Sequence, residues 1–341
     1  MRLSMTRSQA TIDQVQPEDW DKAIEPLSVR TVFHSRAWLE SVCAAYGYRL
    51  VLACARTHGN VVAAWPAIET RKGPFRILGS PLPGTSTPYL GPLFSRDADV
   101  PAILTAFMKD RTLGRYSYFA CRTQDEHRTV DLSDRGFTDL LRFETYLVDL
   151  TLSEEDRWAG MKSECRNRIR KATKSGVEVR LENSPEFIEE FWHMAVAVFE
   201  RQNRAPTYTR RFVQAIWEAL ARGNHICALT AWLDNQRIAT LVLPHDEHTM
   251  YYWAGASRAA FRRESPNNLL LWEAICEARR RGLKVFDFVS IYGGPGKFKR
   301  SFGGTETATA THWERSRSKL TGWMKSAYER HLRSRHRARH G

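Results

Sequence analysis

The chain is 341 residues long, 43% hydrophobic and 11% aromatic, with a formal net charge of +13. That length calls for two modules rather than one, and the apolar content supplies packed cores and excludes general disorder. The six cysteines form no CxxC pair and the histidines lack metal-ligand spacing, which excludes a disulfide framework or a zinc site and predicts buried thiols in a reducing compartment.

Residues 10–15 read as a strand, and Pro17-Glu18-Asp19-Trp20 as a helix start with acids in its first turn. A helix is expected over 35–46, with Trp38, Leu39, Val42 and Ala45 on one face. Strands over 49–56 and 61–68 are joined by the hairpin turn Thr57-His58-Gly59-Asn60. Five prolines and four glycines between 73 and 92 predict an irregular loop, of a length that usually serves function. A helix over 100–113 and strands over 116–122 and 141–150 complete a first module, residues 1–150.

The second module is expected over 151–313. Ser153-Glu154-Glu155-Asp156 opens a helix predicted to run to Lys174, with Gly176 as its stop and a strand over 177–181. Ser184-Pro185-Glu186 opens a helix to Gln202, and 209–222 form a third. Strands 226–233 and 237–244 turn about Asp234-Asn235. Both halves thus show two helices, a hairpin ending in proline (Pro66, Pro244), a helix and a closing strand, a pattern that signals duplication.

Residues 250–304 carry the densest signal. Met250-Tyr251-Tyr252-Trp253 is an aromatic strand, whose rings line a groove or fill a core. Arg262-Arg263-Glu264 is a basic loop. Ser265-Pro266 reads as a helix start, with serine as cap and proline at the first position. Leu269, Leu270, Trp272, Ala274, Ile275 and Ala278 keep helical spacing up to Gly282, and 283–288 alternate as a strand. This crossover sets a helix N-terminus, with Arg262, Arg263, Ser265 and Asn267 about it, where anions or carbonyl oxygens are favoured.

Two residues there suit acyl chemistry. Lys299 lies between Phe298 and Phe302, which four apart anchor a short turn and leave the lysine to reach a phosphate or a developing oxyanion. Asp287, between Phe286 and Phe288, faces away from both rings and suits a base or a group that orients an amine. The plainer readings are a solvated lysine and a loop-capping carboxylate. Arg166, Arg168, Arg170 and Lys171 match a diphosphate or an RNA backbone, or else a solvated basic helix end. Tyr252 and Tyr292 are further candidates for substrate or donor binding. No Ser-His-Asp or Cys-His set is readable, so direct transfer without metal or covalent intermediate is expected.

Gly255-Ala256, Pro266-Asn267, Leu269-Leu270-x-Trp272, Gly282, Phe286-Asp287 and Gly296-x-Phe298-Lys299-x-x-Phe302-Gly303 resemble the C-terminal signature of FemAB-type transferases, within the GNAT acyltransferase superfamily. Trp158 with Arg166-Asn167-x-Ile169-Arg170-Lys171-Ala172-x-x-x-Gly176-Val177, and Phe33-His34-Ser35-x-x-Trp38, extend the likeness over residues 30–310. The resemblance implies an α/β (α+β) fold of two tandem GNAT-like modules, each a mixed, mostly antiparallel sheet flanked by helices. It implies acyl or aminoacyl transfer from an activated ester or thioester to an amine of a cell-wall (peptidoglycan), exopolysaccharide or natural-product precursor. No cofactor is held tightly; the donor, aminoacyl-tRNA or acyl-CoA, is a co-substrate. One departure stands out. Acetyl-CoA-using relatives carry Arg-x-x-Gly-x-Gly/Ala before this helix, whereas this chain reads Arg262-Arg263-Glu264-Ser265-Pro266-Asn267, with no glycine to bare the backbone. The rival enzyme reading is an acyl-CoA or acyl-carrier-protein N-acyltransferase.

Residues 314–341 carry nine lysines and arginines against two glutamates, with Leu320, Trp323, Met324 and Tyr328 at helical spacing. Such a tail reads as a basic amphipathic helix fitted to an anionic membrane surface or to RNA such as tRNA, or as a solvated end. It underlies the non-enzymatic alternative, an RNA- or membrane-surface-binding module. With no apolar signal core or spanning run, the expected location is the cytoplasm, with peripheral contact at the inner membrane face.

Overall fold

The structure, a computed structural model, describes residues 10–124, 130–289 and 295–318. It opens with β1 (Thr11–Gln14), α1 (Pro17–Ile24) and α2 (Arg36–Tyr46), then β2 (Arg49–Thr57), β3 (Asn60–Lys72), β4 (Phe75–Ser80) and β5 (Leu93–Phe94). There follow α3 (Val100–Lys109), α4 (Arg111–Gly114), β6 (Tyr118–Gln124) and β7 (Thr138–Asp149). The chain continues with α5 (Glu154–Gly160), α6 (Ser163–Lys174), β8 (Glu178–Glu182), α7 (Phe187–Arg201) and α8 (Arg210–Ala221). Next come β9 (Ile226–Leu233), β10 (Gln236–Pro244), β11 (Thr249–Tyr251), β12 (Ala254–Ser257) and α9 (Pro266–Arg280), and last β13 (Val285–Asp287), α10 (Pro295–Arg300) and β14 (Thr305–Ser316). Two compact units result, 10–142 with 310–318, and 143–309, so the divisions fall inside β7 and β14.

In the first unit β1, β2, β3 and β4 pair antiparallel in order, β4 pairs parallel with β6, and residues 310–316 add antiparallel to β6. The Ser35 hydroxyl caps α2 by accepting from Trp38 N at 3.3 Å. His58 and Gly59, at φ 50° and 82°, make the two-residue turn that matches the twist of β2 and β3. Trp65, Phe107 and Phe119 fill the core beneath α3, and Trp20, Leu39 and Leu52 the opposite face.

The second unit repeats the order of helix, helix, hairpin, helix and strand. Positive φ at Asp234 and Asn235, 48° and 63°, closes its hairpin. One sheet runs β12-β10-β9-β8, all antiparallel. Elsewhere β13 pairs antiparallel with β7 and parallel with β11, α9 forming the crossover between the two parallel strands. The buried face of α9, including Leu270, Leu271 and Ile275, and the Phe286, Phe288 and Phe302 rings belong to one core.

Several boundaries depart from the sequence expectations. The helix expected over 153–174 breaks at Met161 and Lys162, which are extended at ψ 152° and 141°. Arg166 explains the break: its Nη1 donates to the carbonyls of Trp158, Ala159 and Met161, satisfying the end of α5. The helix expected over 100–113 likewise breaks at Asp110, whose carboxylate caps α4 by accepting from Thr112 N at 2.7 Å. The proline-rich 73–92 segment holds a full strand, β4. Glu314 to Ser316, placed with the tail by the sequence, are part of β14, while the amphipathic tail over 319–341 lies outside the described residues. All six cysteines are unpaired, and all but Cys43 are buried.

Phe302 ties α10 to this core, its ring 5.2 Å from Phe298 edge-on and 6.1 Å from Phe288. Phe302→Ala should cost roughly 3–5 kcal/mol, read from urea unfolding, because it empties a fully buried ring site. A loss below about 1 kcal/mol would mean that the site collapses, or that α10 is not anchored there.

Candidate active site

The parallel pair β11–β13 ends at Tyr251 and Asp287. Beyond it the strands part. Trp253 N turns back to Tyr251 O at 2.8 Å, and the chain then joins β10 as β12. On the other side Val289 takes φ 67°, a left-handed conformation rare for a β-branched residue. Such strain persists only where its surroundings enforce it, and it concentrates at functional sites.

Asp287 is buried and its orientation is set. Its Oδ1 accepts from Thr145 Oγ1 at 2.7 Å and from Val289 N at 2.6 Å. Thr145 lies on β7, far back in the chain, and nothing local in the sequence marks it. The Asp287 carbonyl accepts from Tyr252 N at 2.8 Å, which joins the two parting strands once more.

Lys299 reaches the same place from α10. Its Nζ donates to Phe288 O at 2.8 Å and stands 5.0 Å above the centre of the Tyr252 ring. Instead of the free lysine expected from the sequence, it is drawn in against a carbonyl and an aromatic face. Burial pushes its ammonium down to about 8, against the opposing pull of the Asp287 charge. Tyr252 packs edge-on against Phe288 at 6.2 Å, and burial pushes its phenol up to about 12, so it stays neutral. Gly255 makes room for it: a Cβ there would lie 2.8 Å from both the Tyr252 hydroxyl and a Leu241 methyl.

The start of α9 is built differently from the expectation. Ser265 sits at φ 57°, and its side chain makes no cap. Its backbone serves instead, Ser265 N donating to Arg262 O at 3.3 Å and Asn268 N to Ser265 O at 3.1 Å. A left-handed residue before Pro266 turns the chain too sharply for the hydroxyl to reach over the first turn. Arg262 and Arg263 are exposed on a 3₁₀ turn, Ala259–Glu264. Asn267 Nδ2 donates to Ser257 Oγ at 3.1 Å, linking α9 to β12. Asn268, buried, donates to Cys165 Sγ at 3.5 Å and so sets the start of α6 beside that of α9.

The basic residues of α6 go separate ways. Arg166 is turned onto the carbonyls of α5, Arg168 pairs with Glu164 at 2.7 Å, and Arg170 lies 5.4 Å above the Trp158 ring, while Lys171 is exposed. Tyr292 lies outside the described residues. Lys299, Asp287 and Tyr252 therefore converge, with Thr145, Val289 and the Phe288 carbonyl as partners that sequence reasoning missed. Among the described residues no group of three or more His, Cys, Asp or Glu side chains is placed to hold a metal. Among the described residues no helix is long and apolar enough to cross a membrane.

Residues 159–300 match the family model of the acetyltransferase (GNAT) domain. No curated protein matches the chain. Among solved structures the chain is similar to FemX, at a TM-score of 0.72 and 13% identity over 90% of this chain and 97% of that one. It is also similar to L-PGS from Bacillus licheniformis, at 0.56 and 12% identity over 92% and 96% of the two chains. A tandem GNAT protein of the clavulanic acid biosynthesis pathway follows, at 0.52 and 11% identity over 90% and 98%. These likenesses establish the fold, two tandem GNAT-like modules.

The Lys299 environment has a signed consequence. Its folded value of about 8 lies below the ordinary 10.5, so between those pH values the unfolded chain holds the extra proton. Wild-type stability should therefore rise with pH across that window, relative to Lys299→Met, by roughly 2–3 kcal/mol at most. Paired urea titrations from pH 7.5 to 10.5 measure this, and parallel curves would place the ammonium in water.

Proposed function

Because residues 159–300 match the family model of the acetyltransferase (GNAT) domain, we propose that this chain is an acyltransferase that moves an acyl or aminoacyl group from an activated ester or thioester to an amine, at the parting of β12 and β13. The observation that carries the reading is the convergence of Lys299, Asp287 and Tyr252 on that gap. In this reaction the amine nitrogen bonds to the donor carbonyl carbon, and the bond to the leaving oxygen or sulfur breaks. The amine proton passes to the Asp287 carboxylate, whose orientation Thr145 and Val289 hold. Lys299 supports the negative charge that develops on the carbonyl oxygen, trading its bond to Phe288 O for one to the donor. Tyr252 forms the wall under the lysine and keeps water from it.

For the donor, we favour an ester of the aminoacyl-tRNA kind. FemX and L-PGS share the fold, and the start of α9 offers a poor diphosphate cradle, since Pro266 has no N–H and the Ser265 and Asn268 amides are already bonded. Acyl-CoA is the second reading, favoured by the family model itself. The acceptor is an amine on a small molecule or cell-wall precursor. The tail over 319–341 is the candidate for contact with tRNA or an anionic membrane surface, and its removal should weaken such binding in a salt-dependent way.

Incubating the purified protein with acetyl-CoA and, separately, with a mixed pool of charged tRNA, each with a panel of amines, tests the donor. Amine-dependent deacylation of the tRNA pool alone is expected, and turnover of acetyl-CoA alone would install the second reading. With whichever donor is used, Lys299→Met should lower kcat about 100-fold while the protein stays folded. The wild-type rate should fall as pH rises through about 8, where Lys299 loses its proton, and full turnover by Lys299→Met would remove it from the mechanism.

A further inference from the structure

The first unit contains a cavity of about 430 Å³. Its walls are Thr105, Met108 and Lys109 of α3, Asp134 and Arg135 of the turn before β7, and Arg315 of β14. The volume is within the roughly 300–1,000 Å³ range of small-ligand sites. The lining is unusual in its charge: three cations face a single carboxylate.

Two of those cations are held in place without being neutralised. The Arg315 guanidinium carbon stands 5.9 Å above the rings of both Tyr116 and Phe137. Ring faces fix a guanidinium while leaving its N–H edge available to a ligand. Arg135 is anchored at one corner, Nη2 donating to Pro101 O at 2.7 Å and to Thr105 Oγ1 at 3.3 Å. Its Nε is buried and meets no acceptor among the described residues. Among the described residues no carboxylate forms an ion pair with Lys109, Arg135 or Arg315. Gly136, at φ 74°, turns the chain beside Arg315.

We propose that this pocket is an anion site that binds a phosphate or diphosphate group. The three cations exceed the one acid by two charges, which matches a phosphomonoester dianion, and fixed guanidinium forks suit its oxygens. The group comes from a free phosphorylated compound or from a phospholipid headgroup, and the chemistry at the pocket is the same for both.

The test is calorimetric titration of the full chain with inorganic pyrophosphate, alongside sedimentation with vesicles of phosphatidylglycerol or of phosphatidylcholine. Saturable pyrophosphate binding is expected, weakened about tenfold or more by Arg315→Gln and by Lys109→Gln. Asp134→Asn should tighten it by removing the like charge. Among the described residues the Lys109 side chain forms no hydrogen bond or ion pair, and melting temperatures of all three variants control for unfolding. Phosphatidylglycerol binding that pyrophosphate displaces and both Gln variants weaken assigns the site to a headgroup; pyrophosphate binding without vesicle binding assigns it to a free ligand. Absence of saturable binding to either probe overturns the proposal, as does binding that survives both Gln variants. A short RNA bound equally by wild type and both variants would locate polyanion binding elsewhere and count against the pocket.

Discussion

A strand that serves two sheets cannot stay paired on both sides along its whole length. The segment from Thr249 to Ser257 does this, pairing with β13 through Tyr251 and with β10 from Ala254 onward. Where it changes partner, backbone donors and acceptors of both strands lose their ladder, and buried ones must be met some other way. Tyr252 N finds Asp287 O, and Phe288 O finds the ammonium of Lys299. The lysine thus has a structural reason to be present before any substrate arrives. A carbonyl acceptor in the gap is also where a donor carbonyl would compete for the same Nζ–H.

The same geometry sets the charge. Drawing Lys299 under cover of Tyr252 lowers its proton affinity, and the nearby Asp287 carboxylate keeps the shift from going further. Asp287 in turn is held by a hydroxyl and an amide, which orient its carboxylate. The strained Val289 is part of this arrangement, since its amide donates to Asp287 while its backbone is left-handed. A carboxylate and an ammonium brought near each other is the arrangement that amine acylation needs.

Much of this was legible in the sequence, and the reasons differ by element. The helices and hairpins follow periodicity and turn chemistry: Ser35 caps α2, and His58-Gly59 and Asp234-Asn235 close their hairpins because short-range physics decides there. Lys299 and Asp287 stood out through neighbouring phenylalanines, of which Phe286, Phe288 and Phe302 bury while Phe298 is half-buried. Ser265 misled, since a serine before proline reads as a cap while its backbone conformation is fixed by the turn from Arg262. Thr145 was beyond reach, because its partner is 142 positions away and a lone threonine in a strand has no local signature. The breaks at Asp110 and Lys162 were hidden for a related reason: each depends on a side chain that bonds the backbone locally instead of on a helix-breaking residue.

The two units make the argument for the site sharper, since one crossover was built twice. In the first unit β4 and β6 are parallel strands joined through α3, as β11 and β13 are joined through α9. The first pair ends at Ser80 and Cys121, the positions that Tyr251 and Asp287 occupy in the second. After Ser80, however, the chain folds back so closely that a Cβ on Gly79 would lie 2.0 Å from Leu82 Cα. The proline-rich segment then lies over the strand ends, with Arg122 donating to the carbonyls of Thr87 and Pro88. Arg122 is the counterpart of Phe288, and burial among those carbonyls lowers its guanidinium to about 10. In that unit the opening is filled by the protein's own backbone, and a cation is spent on holding the filling in place. Among the described residues the second unit leaves the strand ends apart with a lysine, a carboxylate and a tyrosine beside them, so the two copies of the fold offer different side chains at the same place.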